Sequence, residues 1–226
     1  MKVIGMIVAT QREIIPLLEA QHTEIVKENR FGFKVMKFCI ADNNIVCVQS
    51  GMGEIFAASA TQMLISAYGA EVIINFGVCG SLGELSLTES VIVKGVVHYD
   101  YDVSDIDNCE VAKYAEFPSV IIPTDENLRE MVKRINPSLK EVICASADKF
   151  VADEKKKEYL HSTYGADICE MECAGVLITA TRAGVPCLII KAVSDGKGGA
   201  AEYEAMVTSA AKSYISIINE LAKAFE

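Results

Sequence analysis

Two glutamates lie two residues apart in an otherwise apolar segment, residues 167–175, which reads DICEMECAG. Glu170 and Glu172 are surrounded by isoleucine, cysteine, methionine and alanine, and the apolar run continues through residues 176–178. A carboxylate is rarely buried without a partner, because the loss of its hydration is costly. Both glutamates could be acids at a helix N-terminus or could pair with a neighbouring chain. The alternative is that they hold a polar ligand.

Other residues with chemical potential stand where predicted strands end, and they are Glu13, Gly77, Gly80, Phe150 and Asp195. Each has a structural explanation: Glu13 could be a first-turn helix acid, Asp195 an N-cap, and Phe150 a core residue. The glycines could make a tight turn, or could let backbone N–H groups approach a ligand. Their segment, GVCGS, matches neither a GxGxxG motif nor a P-loop.

Taken together, these residues place several carboxylates, a glycine turn and an aromatic ring at one edge of a sheet. In open α/β sheets, ligands bind at the carboxyl ends of the strands. One carboxylic acid can protonate a departing base, a second carboxylate can activate water, and a third can grip a vicinal diol with both oxygens. The set is suited to cleaving a glycosidic C–N bond, in which the sugar becomes cation-like as the base departs.

The rest of the chain predicts the elements that position these residues. Short, continuously apolar runs alternate with amphipathic segments, which is typical of buried strands between helices. We predict strands at 3–9, 33–41, 44–50, 71–77, 89–100, 141–147 and 185–195, and helices at about 12–20, 53–69, from 125 after a Thr124 cap, 153–164, 171–184 and 203–225. The pattern indicates one α/β domain, residues 1–226, with three α/β/α layers around a central mixed β-sheet.

The composition and charge of the chain indicate which binding partners are not expected. The chain has 226 residues, 51% of them hydrophobic, which is enough for a large core. Its formal net charge of -10 would repel a phosphate backbone, so nucleic acid is not an expected partner. The first apolar run is too short to cross a membrane and lacks a cleavage site, so we expect neither a signal peptide nor membrane association.

Cysteine and histidine usage predicts no metal and no disulfide framework. The eight cysteines mostly lie in apolar runs without a CxxC pair, as expected of small buried residues in a reducing cytoplasm. The three histidines are scattered and form no HExxH motif. A zinc site is therefore not expected.

Several motifs resemble those of the nucleoside phosphorylase/nucleosidase superfamily, most closely the 5′-methylthioadenosine/S-adenosylhomocysteine nucleosidases. The most specific are EMECAG (170–175) and KAVSD (191–195), and SGMGE (50–54), NFGVCGSL (75–82) and SADKFV (146–151) match in order and spacing. The resemblance covers nearly the whole chain. It implies the nucleoside phosphorylase-like fold, hydrolysis of a purine nucleoside, and no cofactor.

The resemblance also implies the roles of individual residues at the sugar. Glu13 would be the base that activates water, and Asp195, oriented by Ser194, would protonate the purine at N7. Glu172 would accept both ribose hydroxyls, with Met171 packed against the sugar. Glu170 would then be structural.

The remaining substrate contacts follow from the same resemblance. Phe150 would stack on the base, and the backbone of Val151 would read the edge of the base. Met52 and Tyr203 would line the pocket for the 5′ substituent. The segment HYDYDVSDI (98–106) resembles a loop that reaches the partner subunit's site, which implies a homodimer. Partner contacts would come from the two apolar residues of this loop, Val103 and Ile106.

The chain departs from this family at three positions near the substrate. Val78 stands where the nucleosidases usually carry serine, Lys191 where they usually have an arginine near the water, and Thr10 where a pocket residue is apolar. We still expect Val78 and Lys191 at the substrate, although lysine does not reproduce the forked donors of arginine.

Phosphorolysis is the alternative reaction. Phosphorylases of the superfamily carry a glycine- and arginine-bearing phosphate loop after the first strand, whereas here that loop is ATQREIIP, with Arg12 its only arginine. Asn75 and Phe76 stand where such enzymes place another arginine. Because phosphate sites need charge-assisted donors, we favour water as the nucleophile.

Overall fold

The computed structural model describes residues 2–225. Ten strands form one sheet, and eight helices accompany it within this range. The strands are β1 Val3–Val8, β2 Val26–Arg30, β3 Phe33–Ile40, β4 Asn43–Gln49, β5 Val72–Ser81, β6 Ser90–His98, β7 Ile122–Pro123, β8 Lys140–Ser146, β9 Ile168–Glu170 and β10 Cys187–Asp195. The helices are α1 Gln11–Glu19, α2 Glu54–Tyr68, α3 Ser104–Asp107, α4 Glu126–Ile135, α5 Glu154–Tyr164, α6 Cys173–Arg182, α7 Gly199–Ser213 and α8 Ile215–Lys223.

The sheet mixes parallel and antiparallel pairs. At its centre β1 runs parallel to β4 and β5, and β5 runs parallel to β10. Strand β10 continues antiparallel to β6, β6 parallel to β8, β8 parallel to β9, and β9 returns antiparallel to β5. Five strands therefore close into a ring, while β4, β3 and β2 form an antiparallel edge. The predicted mixed sheet is confirmed.

Helices cover both faces of this sheet. Along β1, Ile4 and Met6 belong to an apolar cluster with residues of α1, α4, α7 and α8, whereas Ile7 joins a second cluster with residues of α2 and α6. This alternation follows from the two-residue period of a strand. The three-layer α/β/α architecture predicted from the sequence is confirmed. Among residues 2–225, no helix has the length and apolar character that crossing a membrane requires.

Several element predictions differ from the structure for identifiable reasons. Strands β2, β7 and β9 and helix α3 were not predicted, because β2 is a polar edge strand and the other three have only two to four residues. Helix α4 is capped by Asp125, which accepts the Leu128 amide, while Thr124 donates instead to the Val93 carbonyl. The predicted helix 203–225 begins earlier, at Gly199, and breaks at Tyr214 into α7 and α8.

The predicted glycine turn after β5 is also wrong. Strand β5 continues through the segment GVCGS as far as Ser81, paired with β10 along most of this length. Glycines weaken a strand, and so they favour a turn prediction. Here, however, they lie where other parts of the chain approach the backbone closely.

Candidate active site

A cavity of about 380 Å³ opens at the carboxyl ends of β1, β5 and β10. This is the edge at which the sequence placed the site. Nine of the predicted site residues line the cavity, namely Glu13, Met52, Val78, Phe150, Met171, Glu172, Ser194, Tyr203 and Asp195. The three acidic residues to which we assign the chemistry therefore face a common cavity.

Glu13 is held in place by three donors. Its Oε2 accepts the Thr10 amide at 2.8 Å and the Thr10 hydroxyl at 2.5 Å, and its Oε1 accepts the Val78 amide at 2.9 Å. The contacts with Thr10 form a capping box at the start of α1. Two carboxylate oxygens offer about four acceptor sites, so roughly one remains for a further donor such as water.

The two glycines of β5 make room for two of these acids. A Cβ atom on Gly77 would lie 2.7 Å from Glu13 Oε1, and one on Gly80 would lie 3.0 Å from Asp195 Oδ2. Contacts this short would force a side chain at either position to displace the carboxyl group. The glycines therefore serve close approach, not a turn.

Asp195 ends β10 in a buried position. Ser194 Oγ donates to its Oδ1 at 2.8 Å. Burial raises the pKa of Asp195 above its ordinary value, against the hydrogen bond from Ser194 and the charge of Lys157, which lower it, while Glu202 raises it further. Glu202 also accepts the Gly196 amide at 2.6 Å and so fixes the backbone directly after Asp195.

Glu170 and Glu172 lie in different environments. Glu170 is buried at the end of β9, just before α6, where it accepts the amides of Glu172 and Cys173 at about 3 Å and pairs with Lys191 Nζ at 3.0 Å. Burial would raise the pKa of Glu170, but Lys191 and these donors, with Ser146, hold it at about 2. Glu170 therefore stays ionised as a fixed anchor.

Glu172 is the N-cap residue of α6 and has a different environment. Its Oε1 accepts the Gly53 amide at 2.9 Å. Burial, together with the negative charge of Glu170, raises the pKa of Glu172 to about 8. A ligand that donates hydrogen bonds to this carboxyl group would stabilise its charged form.

The mouth of the cavity is apolar and aromatic. Phe150 and Tyr203 meet edge to face, with ring centroids 6.1 Å apart. Met52 and Phe150 are 62% and 45% exposed, respectively, so both present apolar surface to an incoming ligand. At the rim, Arg12 Nη1 pairs with Glu204 Oε2 at 2.6 Å.

Four predicted residues lie outside the cavity lining. Lys191 is buried behind it, paired with Glu170, and Val151 packs in a small apolar cluster with residues such as Val97. Val103 and Ile106 belong to the loop around α3, where Ile106 is 83% exposed. These positions leave Lys191 as a support for Glu170 instead of a direct part of the cavity surface.

Sequence reasoning missed several lining residues, which are Ala9, Cys79, Gly80 as a wall of the cavity, Cys169, Glu170, Ala200 and Glu204. Most of them adjoin residues that were predicted, since they lie at the same strand ends. Their small or ordinary side chains carry no chemical signal of their own. The signal for Glu170 was its spacing from Glu172, which we interpreted as structural.

One cluster of possible metal ligands adjoins the site. The ligand atoms of Cys144, Glu170 and Cys173 lie within 4.8 Å of one another. However, Lys191 already supplies the positive charge at Glu170. Burial raises the pKa of both thiols, which disfavours the thiolates that a metal would need.

The fold and the acidic cavity are typical of an enzyme that acts on a polar small molecule. Comparison of the chain with known protein families identifies which kind of enzyme it is. Residues 3–224 match the family described as the Phosphorylase superfamily. The chain belongs to this superfamily.

Its relatives within that superfamily are nucleosidases. The aminodeoxyfutalosine nucleosidase of Campylobacter jejuni subsp. jejuni is 30% identical over 209 residues, which cover 89% of each chain. The 5′-methylthioadenosine/S-adenosylhomocysteine nucleosidase of Shewanella halifaxensis is 30% identical over 199 residues, 85% of each chain. The native structure of futalosine hydrolase of Helicobacter pylori strain 26695 has a TM-score of 0.93 at 26% identity, covering 98% of this chain and 97% of that one. The chain is an N-glycosyl hydrolase, and the family resemblance inferred from its motifs is confirmed.

Proposed function

We propose that the protein hydrolyses the N-glycosidic bond of a purine nucleoside such as 5′-methylthioadenosine or S-adenosylhomocysteine and releases the free base. The observation that carries the proposal is the cavity shared by Glu13, Glu172 and Asp195. Each acid has a different environment, so one can act as an acid, one as a base and one as a sugar ligand.

Asp195 is the general acid in this mechanism. A free aspartate has a pKa of about 3.9 and would be ionised at neutral pH. Burial raises the pKa of Asp195, which favours the protonated form that can donate to N7 of the purine. Protonation makes the base a better leaving group as the C–N bond breaks. Ser194 keeps the carboxyl group oriented toward the cavity.

Glu172 and Glu13 act on the sugar side. Glu172 accepts the 2′ and 3′ hydroxyls, and these donors favour its ionised form despite the raised pKa. Glu13 takes a proton from water as the water oxygen bonds to C1′ of the cation-like sugar. Met171 packs beside the sugar, and Phe150 stacks on the base.

The charges around the cavity favour water over phosphate. Among residues 2–225, those that line the cavity include no lysine or arginine. Arg12 at the rim is paired with Glu204, and Lys191 is paired with Glu170. A phosphate dianion would therefore approach Glu13 without the charge-assisted donors that phosphate sites use.

The 5′ substituent is expected at the apolar mouth, against Met52 and Tyr203. The relatives are named for 5′-methylthioadenosine, S-adenosylhomocysteine and aminodeoxyfutalosine, and these nucleosides differ in the 5′ group. We include a homodimer in the proposal, in which Val103 and Ile106 contact the nucleoside bound by the partner subunit. The exposure of Ile106 and Met52 supports this arrangement.

A substrate panel tests the proposal. The purified protein is incubated separately with 5′-methylthioadenosine, S-adenosylhomocysteine, aminodeoxyfutalosine, adenosine and inosine in phosphate-free buffer, and free base is quantified by chromatography. We expect base release from at least one 5′-substituted nucleoside. Release only after phosphate is added would establish a phosphorylase, and tight binding without any release would establish a binding protein.

A further inference from the structure

Behind the cavity, one serine hydroxyl joins two buried carboxyl groups. Ser146 Oγ lies 2.6 Å from Glu54 Oε1 and 2.6 Å from Glu170 Oε1, and it accepts the Ala174 amide at 3.1 Å. A hydroxyl has one proton to donate and two lone pairs. Since Ala174 occupies one lone pair and one carboxylate receives the proton, the other carboxyl oxygen must donate a proton of its own. One of the two glutamates is therefore a neutral carboxylic acid.

The surroundings identify Glu54 as the neutral one. Glu170 has Lys191 Nζ at 3.0 Å and accepts backbone amides, as an ionised group should. Glu54 is buried, the negative charges of Glu170 and Asp148 act on it, and the hydroxyls of Tyr99 and Tyr114 are near enough to feel a charge on it. Burial, then the charges of Glu170 and Asp148, raise the pKa of Glu54 to about 8, although the Gly175 amide lowers it, as the Ser146 hydroxyl would if it donated to Glu54 and not to Glu170.

Glu54 also lies where the first turn of α2 meets α6. A Cβ on Gly175 would clash with the Glu54 carbonyl oxygen, so the two backbones are in direct contact. The neighbouring Gly53 amide donates to Glu172, and the Glu54 amide donates to Asp148 at 2.7 Å. A change at Glu54 should therefore displace Glu172, the proposed partner of the sugar hydroxyls, because both α2 and α6 begin beside that residue.

We propose that Glu54 is a positioning residue that acts as a neutral acid: it donates to Ser146, and Ser146 donates to Glu170. Glu170 in turn holds the backbone amides at the start of α6 and so fixes Glu172. The positioning role rests on the proposed function, whereas the protonation of Glu54 does not. Glu54→Gln keeps a donor at this place and is the isostere of the neutral acid, which makes it the informative variant.

Infrared spectroscopy tests the protonation without any substrate. At pH 7, the difference spectrum between the wild-type protein and Glu54→Gln should show the loss of one carbonyl band of a protonated carboxylic acid. The matched control is Glu24→Gln, at an exposed position, which should lose a carboxylate band only. A carboxylate band lost in Glu54→Gln would overturn the proposal.

Thermal stability gives a second test with a definite sign. The folded-state pKa of Glu54, about 8, lies above its ordinary value of 4.5, so the folded protein binds an extra proton between these values. Wild-type stability should fall relative to Glu54→Gln as pH rises from about 5 to 8. We expect the Tm of the wild type to fall by more than about 5 °C relative to the Tm of Glu54→Gln over this range. A difference that does not change with pH would contradict a neutral Glu54.

Kinetics test the positioning role. Glu54→Gln should keep kcat/KM within about threefold of the wild type, while Glu54→Ala, which lacks the donor, should lose about tenfold, mainly through KM. Equal losses in both variants would overturn the role as a donor. If the protein shows no nucleosidase activity, the affinity for the same nucleosides replaces KM, and the infrared and Tm results still decide whether Glu54 is protonated.

Discussion

The environment of Asp195 suits a carboxylic acid that donates a proton. It is buried, one of its oxygens is oriented by Ser194, and Gly80 leaves its other oxygen open toward the cavity. Burial raises its pKa, and a raised pKa is what a carboxylic acid needs to donate a proton near neutral pH. The sequence alone left Asp195 equally compatible with a helix cap.

Replacement of Asp195 by asparagine should separate catalysis from binding. The amide group would keep the shape of the side chain but could not transfer a proton to the base. We expect kcat to fall by about two to four orders of magnitude, the usual contribution of a general acid, with little change in nucleoside affinity. Base release and isothermal titration calorimetry measure the two quantities. Unchanged turnover in Asp195→Asn would remove this residue from the mechanism.

Glu172 should determine the preference for ribose. A 2′-deoxynucleoside lacks one of the two donors that offset the burial of this carboxylate, so kcat/KM should fall by about 10- to 100-fold. In Glu172→Gln, both substrates should become poor and the difference between them should shrink. The comparison requires only the two nucleosides and the two proteins. An identical ribose preference in the wild type and the variant would argue against the proposed clamp.

At the scale of elements, strand β5 leaves space for two acidic side chains of the candidate site, which the sequence did not indicate. From the sequence, its glycines, Gly77 and Gly80, could make a tight turn or let backbone N–H groups approach a ligand, because glycine is common in turns and weakens strands. Their function in the structure depends on Glu13 and Asp195, which come from α1 and β10 and meet β5 only in the folded chain. Sequence spacing carries no information about this approach.

A methyl group at Gly80 should therefore impair catalysis. In Gly80→Ala, the new Cβ would lie 3.0 Å from Asp195 Oδ2 and 3.2 Å from Cys169 Sγ, so the carboxyl group must shift by a few tenths of an ångström. We expect kcat to fall by about tenfold, because small displacements of catalytic groups are costly.

The matched control is Gly83→Ala, whose nearest neighbour, His161 Cε1, lies 3.9 Å away. This variant should retain wild-type kcat in the same base-release assay. Equal kcat values for the Gly80 and Gly83 variants would show that the space at Gly80 is unimportant.

Long, buried elements could be predicted from the sequence, whereas irregular ones could not. The apolar runs that became β1, β8 and β10 were recovered to within two residues because burial on both faces leaves a continuous apolar signal. The break at Tyr214 was not predicted, because residues on both sides keep a helical apolar period. Its hydroxyl donates to the Glu13 carbonyl at 3.1 Å, a tertiary contact over two hundred residues away in sequence.

The sequence predicted which acids lie at the candidate site but not the groups that support them. Glu13 and Asp195 were singled out at strand ends and Glu172 before a helix, and the family resemblance implied their roles. The structure brings the three side chains to one cavity, while their chemical roles stay predictions. Lys191 was expected near the water, and its ion pair with Glu170 was not predicted. The charge balance of a buried cluster depends on which groups the folded chain brings together, and this information is not local in the sequence.

At the scale of the whole molecule, exposed apolar side chains near the cavity support the proposed homodimer. Met52, Ile55 and Phe56 at the start of α2 are all more than half exposed, as is Ile106. Such residues would be covered if the loop around α3 contacted a second copy of the chain.

Charge substitutions test this assembly. Ile55→Glu should shift the protein from dimer to monomer in sedimentation experiments and reduce kcat/KM at the same time, because the partner's loop would be lost from the site. Phe31→Glu, at an equally exposed apolar residue of the β2–β3 turn, should leave the oligomeric state unchanged. A wild-type protein that sediments as a monomer while fully active would contradict the dimer.

The most direct test of the central claim is to follow the oxygen that reaches the sugar. The reaction is run in ¹⁸O-enriched water, with ordinary phosphate present, and the products are analysed by mass spectrometry. Hydrolysis by water activated at Glu13 predicts a free sugar that carries one ¹⁸O atom at C1, together with unlabelled base. An unlabelled sugar 1-phosphate would show that phosphate is the nucleophile and would contradict the account.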